Sequence, residues 1–310
     1  MRRYVLERLL HLIPILFGST FLSFALMHVV STDVVDMLYT LSGNTSAAAA
    51  AVKRASLGLD QSFFVQYGSW LWNILHGDMG RSFVSGQPVF TAILAKLPAT
   101  LELMLLAIAI TLLVALPLGI LAAVHRDSIW DQIVRVISFI GNATPDFFVA
   151  LLLLYLFAVK WHFFSFLGHS QFPLLPALTL AIAMIAKYVR QIRAVFLDEL
   201  SKNYVQAARV RGLSESFILS HYVLRSVLAP LLAILGISVG SLLGGAAIVE
   251  SIFLWDGIGK LAVDAIVLRD YPVIQAYVIW MCFIYVGVNL AADIVSSAID
   301  PRVAERGRDT

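Results

Sequence analysis

The sequence predicts an all-α integral membrane protein of six membrane-spanning helices, with a small helical cap on the outer face. Three observations predict it. Sixty per cent of the 310 residues are hydrophobic and 14% are charged, with a mean hydropathy of +0.86, which is more apolar than a soluble domain with a large core. Six apolar runs reach about 20 residues, the length a helix needs to cross the hydrocarbon core. The runs are continuous rather than alternating, which excludes a strand barrel, and helices satisfy backbone polar groups within the segment.

The runs are Leu9–Val30, Leu97–Val124, Ile133–Val159, Pro173–Leu197, Val227–Leu254 and Pro272–Ile299. They divide the chain into residues 1–30, the first helix; 31–96, an extracytoplasmic cap; and 97–310, a core of five helices with a loop at 198–226. Met1-Arg2-Arg3 through Arg8 is basic and could open a signal peptide. The following run is too long for that and lacks an Ala-x-Ala pattern, so a retained first helix is expected. With the N-terminus inside, fifteen of the 22 basic residues face the cytoplasm and seven face out, and four of those seven lie in the long first loop, which counts least.

In the cap, Ala47–Ala51 is helix-forming, and Phe63 to Leu75 carries Tyr67, Trp70 and Trp72, typical of interfacial anchoring. The third run holds Asn142-Ala143-Thr144-Pro145-Asp146. Pro145 removes a backbone donor and should kink the helix, and broken helices often line a cavity. Asp146 is costly at membrane depth. Either it faces the solute pathway, or it is structural, pairing with Arg190 or Arg193 or capping the second half-helix. In the fifth run Gly236, Gly240 and Gly244 form overlapping Gly-x-x-x-Gly pairs that permit close packing, at a subunit interface or beside a pore.

The 198–226 loop is polar and basic between apolar runs. Ala207 and Ala208 allow close approach of another surface, and Gly212 can take a positive φ and end one short helix. Ser214 is then an N-cap for Glu215–Val223, whose Phe217, Ile218, Tyr222 and Val223 would form a face for a groove. An amphipathic loop on lipid, with Lys202, Arg209 and Arg211 near phosphates, is the other reading.

Several reactions are excluded. The net charge of +2 argues against nucleic acid, and Cys282 alone builds neither disulfide nor Cys-based metal site. Gly259-Lys260 is followed by Leu261, so it is not a phosphate-binding loop. His-Glu-x-x-His and Gly-x-Ser-x-Gly are absent. An ion-coupled secondary transporter is the alternative of another class; it would call for paired broken helices, and only one is evident.

Gln206-Ala207-Ala208, three residues, Gly212, nine residues and then Tyr222-Val223-Leu224-Arg225 resemble the cytoplasmic "EAA" loop of the membrane subunits of ABC importers. Gln206, Tyr222 and Arg225 depart from that pattern's Glu, Ile and Pro. The resemblance extends over nearly the whole chain to the B-type permeases of the peptide/nickel class. It is carried by Gly58-Leu59-Asp60-Gln61, Tyr67, Gly77-Asp78-Met79-Gly80-Arg81-Ser82 and Pro88-Val89. Pro98-Ala99-Thr100-Leu101-Glu102-Leu103, Glu250, Phe253, Gly257, Gly259, Arg269-Asp270-Tyr271-Pro272-Val273-Ile274-Gln275 and Asp300-Pro301-Arg302 complete it. Ser31-Thr32-Asp33-Val34 stands where the family has Pro-Gly-Asp-Pro, and Asp256 stands where it has Pro.

The resemblance implies the type I importer permease fold in a bacterial plasma (inner) membrane, and no bond chemistry or cofactor in this chain. It implies a homologous second permease as heterodimer partner, two ATPase subunits that bind ATP and magnesium, and an extracytoplasmic binding protein. Gln206, Ala207, Ala208, Gly212, Leu224 and Arg225 would couple to the ATPase, and Pro145, Asp146, Gly240 and Gly244 would line the pathway. Gln66-Tyr67-Gly68-Ser69-Trp70-Leu71-Trp72 looks closest to nickel-type permeases, so the expected cargo is nickel or a metal chelate, with di- or oligopeptides as the alternative. His28, His76, His162 and His169 are ligand types that could assist a metal, or be simply hydrogen-bonded.

Overall fold

The computed structural model describes residues 2–29, 35, 47–162 and 173–299. Among them the chain is helices and turns, with one isolated antiparallel bridge between Arg81 and Pro88. The helices are α1 (Arg2–Val29), α2 (Ala47–Ser56), α3 (Phe63–Leu75), α4 (Val89–Val124) and α5 (Ile129–Ala143). There follow α6 (Asp146–Leu154), extended by a π-helical turn over Tyr155–Lys160, then α7 (Leu174–Leu200) and α8 (Asn203–Val210). Last come α9 (Leu224–Ile252), α10 (Ile258–Leu268) and α11 (Tyr271–Ile299).

Each of the six apolar runs forms helix, though length and composition single out fewer than six as spans. Among the described residues, three helices are long and apolar enough to cross a membrane alone: Val89–Val124, Glu215–Ile252 and Tyr271–Ser296. The third run bends at Pro145, as expected, and sharply. It breaks into α5 and α6, bent by 96°, and the pair makes a fourth crossing if counted together. The cause is local. Pro145 (φ −65°, ψ 142°) offers no N–H, the Thr144 hydroxyl turns back to Ile140 O at 2.8 Å, and α6 restarts at Asp146. α7 carries Lys187, Arg190 and Arg193 in its second half, and in α1 the apolar stretch is shorter, Ile13–Leu26.

The chain forms two compact units. One holds Met1–Thr100 with Asp256–Val286, the other Leu101–Trp255 with Gly287–Thr310. In the first unit α1 and α3 pack through rings at matching helical spacing. Phe17, Phe21 and Phe24 recur at i, i+4, i+7, and so do Phe63, Tyr67 and Trp70 on α3. Tyr67 meets Phe17, Phe21 and Phe24 edge-on at 5.4–6.0 Å, and its hydroxyl lies 3.1 Å from Thr20 Oγ1. Each such ring pair adds about 1 kcal/mol beyond area burial. Of the three rings expected at the interface, only Trp72 is exposed, while Tyr67 is buried and Trp70 packs on Tyr67.

The second unit is built on α7. Leu180, Tyr188, Ile192 and Phe196 are buried along one face, against α5, α6 and α9. Asp131, fully buried at the start of α5, receives two hydrogen bonds from Arg193 of α7, Nε to Oδ1 at 2.6 Å and Nη2 to Oδ2 at 2.8 Å. The Asp127 N–H donates to the same carboxylate at 3.0 Å, and Ser128 caps α5 by accepting from the Asp131 N–H. Arg193 is thus committed to Asp131 and is not the partner of Asp146.

Candidate functional site

The Gln206–Gly212 stretch ends α8 as the small residues and the glycine suggest. Gly212 takes φ +78°, its N–H donates to Arg209 O at 2.9 Å, and the Leu213 N–H donates to Ala208 O at 3.3 Å. That pair of bonds is a Schellman motif, which an L side chain at the left-handed position would strain. Val205 and Ala208 are buried inward, while Gln206, Ala207, Val210 and Gly212 face out. Val210 is 89% exposed at the tip, an isolated apolar side chain with no cover among the described residues.

The loop is clamped at both ends. The Tyr204 hydroxyl donates to Glu199 Oε1 at 2.7 Å, and Lys202 Nζ reaches Glu199 Oε2 at 2.6 Å. Loss of water around the Tyr204 phenol pushes its pKa above the ordinary tyrosine value. Arg209 grips Glu215 with two parallel bonds of 2.7 and 3.1 Å, joining α8 to the next helical segment.

That segment corrects the expected separate helix over Glu215–Val223. Ser214 has N-cap backbone geometry without a side-chain cap bond, and Glu215–Phe217 passes through a π-helical turn, Ile218–Val223, straight into α9. The expected docking face is split accordingly. Ile218 and Val223 are buried, and only Phe217 and Tyr222 remain exposed. Leu224 is half-buried and Arg225 exposed.

Asp146 opens α6 and lines a cavity of about 150 Å³ within the second unit, with Asn142, Thr144, Lys187, Ser238 and Ser241 around it. Its carboxylate lies over bare backbone: a Cβ on Gly245 would stand 2.8 Å from Asp146 Oδ2. Pro145, beside it, supplies the N-cap backbone position of α6. Among the described residues no ion pair joins Asp146 to Arg190, which is exposed. Gly244 opens onto space and Gly240 is half-buried, so Gly245 makes the close approach. The sequence alone assigns neither Gly245 nor Lys187 to the pathway; the signal for Lys187 is that it is the first cation met along an otherwise apolar run.

The histidines are dispersed. His28 stacks on Phe24 at 4.9 Å and His76 Nδ1 lies 2.8 Å from Trp72 O. His162 is exposed, and His169 lies outside the described residues. Among the described residues no three His, Cys, Asp or Glu side chains gather into a group able to hold a metal ion.

The motifs of the first unit act as pins. Asp270 accepts from the Ser82 hydroxyl and from the Phe83 N–H (2.9 Å), and Asp78 Oδ1 accepts from the Gly80 N–H at 2.8 Å. Thr100 Oγ1 accepts from Ile258 N–H at 2.9 Å, capping α10. Asp256, where proline was expected, pairs with Lys96. Ser31 to Val34 lies outside the described residues.

Residues 115–305 match the family model described as "Binding-protein-dependent transport system inner membrane component", and residues 1–104 match the one for its N-terminal part. The chain belongs to that family. As a family member it is the membrane permease of an ABC importer and not its ATPase. A protein of Brucella suis, provisionally named a peptide transport system permease, is 36% identical over 98% of this chain and 99% of its own length. The nickel import system permease protein NikB of Staphylococcus aureus is 36% identical over 96% of this chain and 90% of its own. Among solved structures, the MetNI methionine ABC transporter in inward-facing conformations aligns with a TM-score of 0.60 at 16% identity, covering 69% of this chain and 98% of that one. The type I importer permease fold is thereby shown.

Proposed function

We propose that this permease forms half of a heterodimeric pore in a bacterial plasma membrane, with its N-terminus in the cytoplasm. Two ATPase subunits, which bind ATP and magnesium, sit beneath the pore, one of them docked on the 203–225 loop, and an extracytoplasmic binding protein delivers solute. The observation that carries this reading is the loop: a Schellman-ended helix, held by Glu199 and Glu215, presenting Ala207 and Val210 outward. A small apolar tip on a rigid base suits a groove on a partner, and a lipid-lying loop would need a continuous apolar face, which burial of Ile218 and Val223 removes.

The proposed cargo is nickel held in an organic chelator, as the likeness to NikB suggests. The dispersal of the described histidines supports a chelated rather than a bare ion. Short peptides are the second reading, favoured by the Brucella relative. The test is reconstituted uptake with partner subunits, comparing labelled nickel plus histidine with a labelled dipeptide, with and without ATP. ATP-dependent uptake of one identifies the cargo. Uptake driven by an ion gradient without ATP overturns the proposal.

A further inference from the structure

We propose that Asp146 and Lys187 read cargo charge in this half of the permease, selecting solutes that carry both an amine and a carboxylate. The inference rests on the importer reading above and names the cargo chemistry within it.

Both side chains line one cavity of about 150 Å³, alongside Asn142, Thr144, Ser238 and Ser241. That volume equals about five waters, about the size of a small zwitterion. The cavity lies where α5 breaks from α6 at 96°, and such breaks leave backbone groups free for ligands.

Opposite charges that serve structure in this unit are in direct contact. Asp131 meets Arg193 at 2.6 Å and Glu199 meets Lys202 at 2.6 Å. Asp146 and Lys187 share a cavity, yet no ion pair within 4.0 Å joins them among the described residues. Ser238, 3% exposed, lines the same space, with the Tyr188 hydroxyl of α7 beside it. Gly245 leaves the Asp146 carboxylate its room. An amine fits against Asp146 and a carboxylate against Lys187, a chemistry shared by peptides and by amino-acid chelates of a metal.

The test uses the full transporter in proteoliposomes with ATP. Cargoes are Ala-Ala, N-acetyl-Ala-Ala and Ala-Ala amide, and nickel with histidine or with histamine, which lacks the carboxylate. Lys187→Gln should lower kcat/KM about tenfold for Ala-Ala and nickel–histidine, and leave the amide and nickel–histamine within about twofold. Asp146→Asn should lower Ala-Ala and its amide about tenfold while sparing the N-acetyl form. Gly245→Ala should follow Asp146→Asn, and Lys187→Arg should keep the native pattern.

The series that the native complex transports tells peptide from chelate. Equal losses across all cargoes, or unchanged selectivity with the ATPases still bound, overturn the inference and make the pair structural. ATP-dependent uptake of none of the five by the native complex overturns the importer reading and this inference together.

Discussion

Replacing Asp131 by asparagine should be among the most damaging isosteric changes in the second unit. The Asp131 carboxylate is fully buried and the Arg193 side chain only 18% exposed. The amide of the Asp131→Asn variant would keep an acceptor for the Asp127 N–H but lose the charge facing Arg193. Breaking a buried pair costs about 3–5 kcal/mol, and the residual exposure of Arg193 points to the lower end, about 3 kcal/mol. Asp131→Ala also orphans the Asp127 N–H, which adds about 1 kcal/mol. The partner change Arg193→Met leaves the carboxylate with the Asp127 N–H and the more distant Arg135, 3.7 Å away, and should cost less, about 2 kcal/mol. Changing both sides removes the stranded charge, so the double variant should lie within about 1–2 kcal/mol of native. The assay is equilibrium unfolding in mixed micelles, followed by the fluorescence of neighbouring Trp130. A coupling below about 0.5 kcal/mol, the level of an exposed pair, would refute the view that this contact fixes α5 on α7.

Three further outcomes are expected. Gly212→Ala should cost about 1 kcal/mol locally, because φ is +78°, whereas Gly212→Pro also loses the N–H donated to Arg209 and should abolish ATP-driven uptake while the protein still inserts. Val210→Asp should leave stability within about 0.5 kcal/mol but reduce ATPase co-purification about tenfold, and normal co-purification would remove Val210 from the docking surface. Asp270→Ala deprives the Ser82 hydroxyl and the Phe83 N–H of their acceptor. It should cost about 2–3 kcal/mol and show as faster proteolysis in residues 77–88.

Much of this was legible because it depends on local chemistry. Continuous apolar runs require helices, Pro145 breaks one, the alanine run over Ala47–Ala51 begins α2, and Gly212 ends α8. What escaped depends on partners far apart in the chain. Asp131 and Asp146 are both carboxylates within reach of the basic stretch of α7, and nothing local assigns Arg193 to one rather than the other. Ser128 at the N-cap and Arg135 one turn on marked Asp131 as a helix-start residue, yet Arg193 is 62 positions away. The Ile218 face reads the same whether it meets a partner or the protein's own interior. Residues 256–286 group with the first hundred, held by contacts such as Ser82 to Asp270, 188 positions apart.

The π-helical turn over Ile218–Val223 has a geometric consequence. Such a turn accommodates a residue more than an α-helix would at that point, and one residue corresponds to about 100° of rotation about the axis. Deleting a residue there would leave Ile218 seated and roll every later side chain of α9 by that angle. Ser238 and Gly245 would swing away from Asp146 together, although neither had been altered. The loop before Ile218 and the face that meets the cavity are therefore kept in phase by a six-residue vernier, and insertions or deletions within it should be tolerated far less than substitutions.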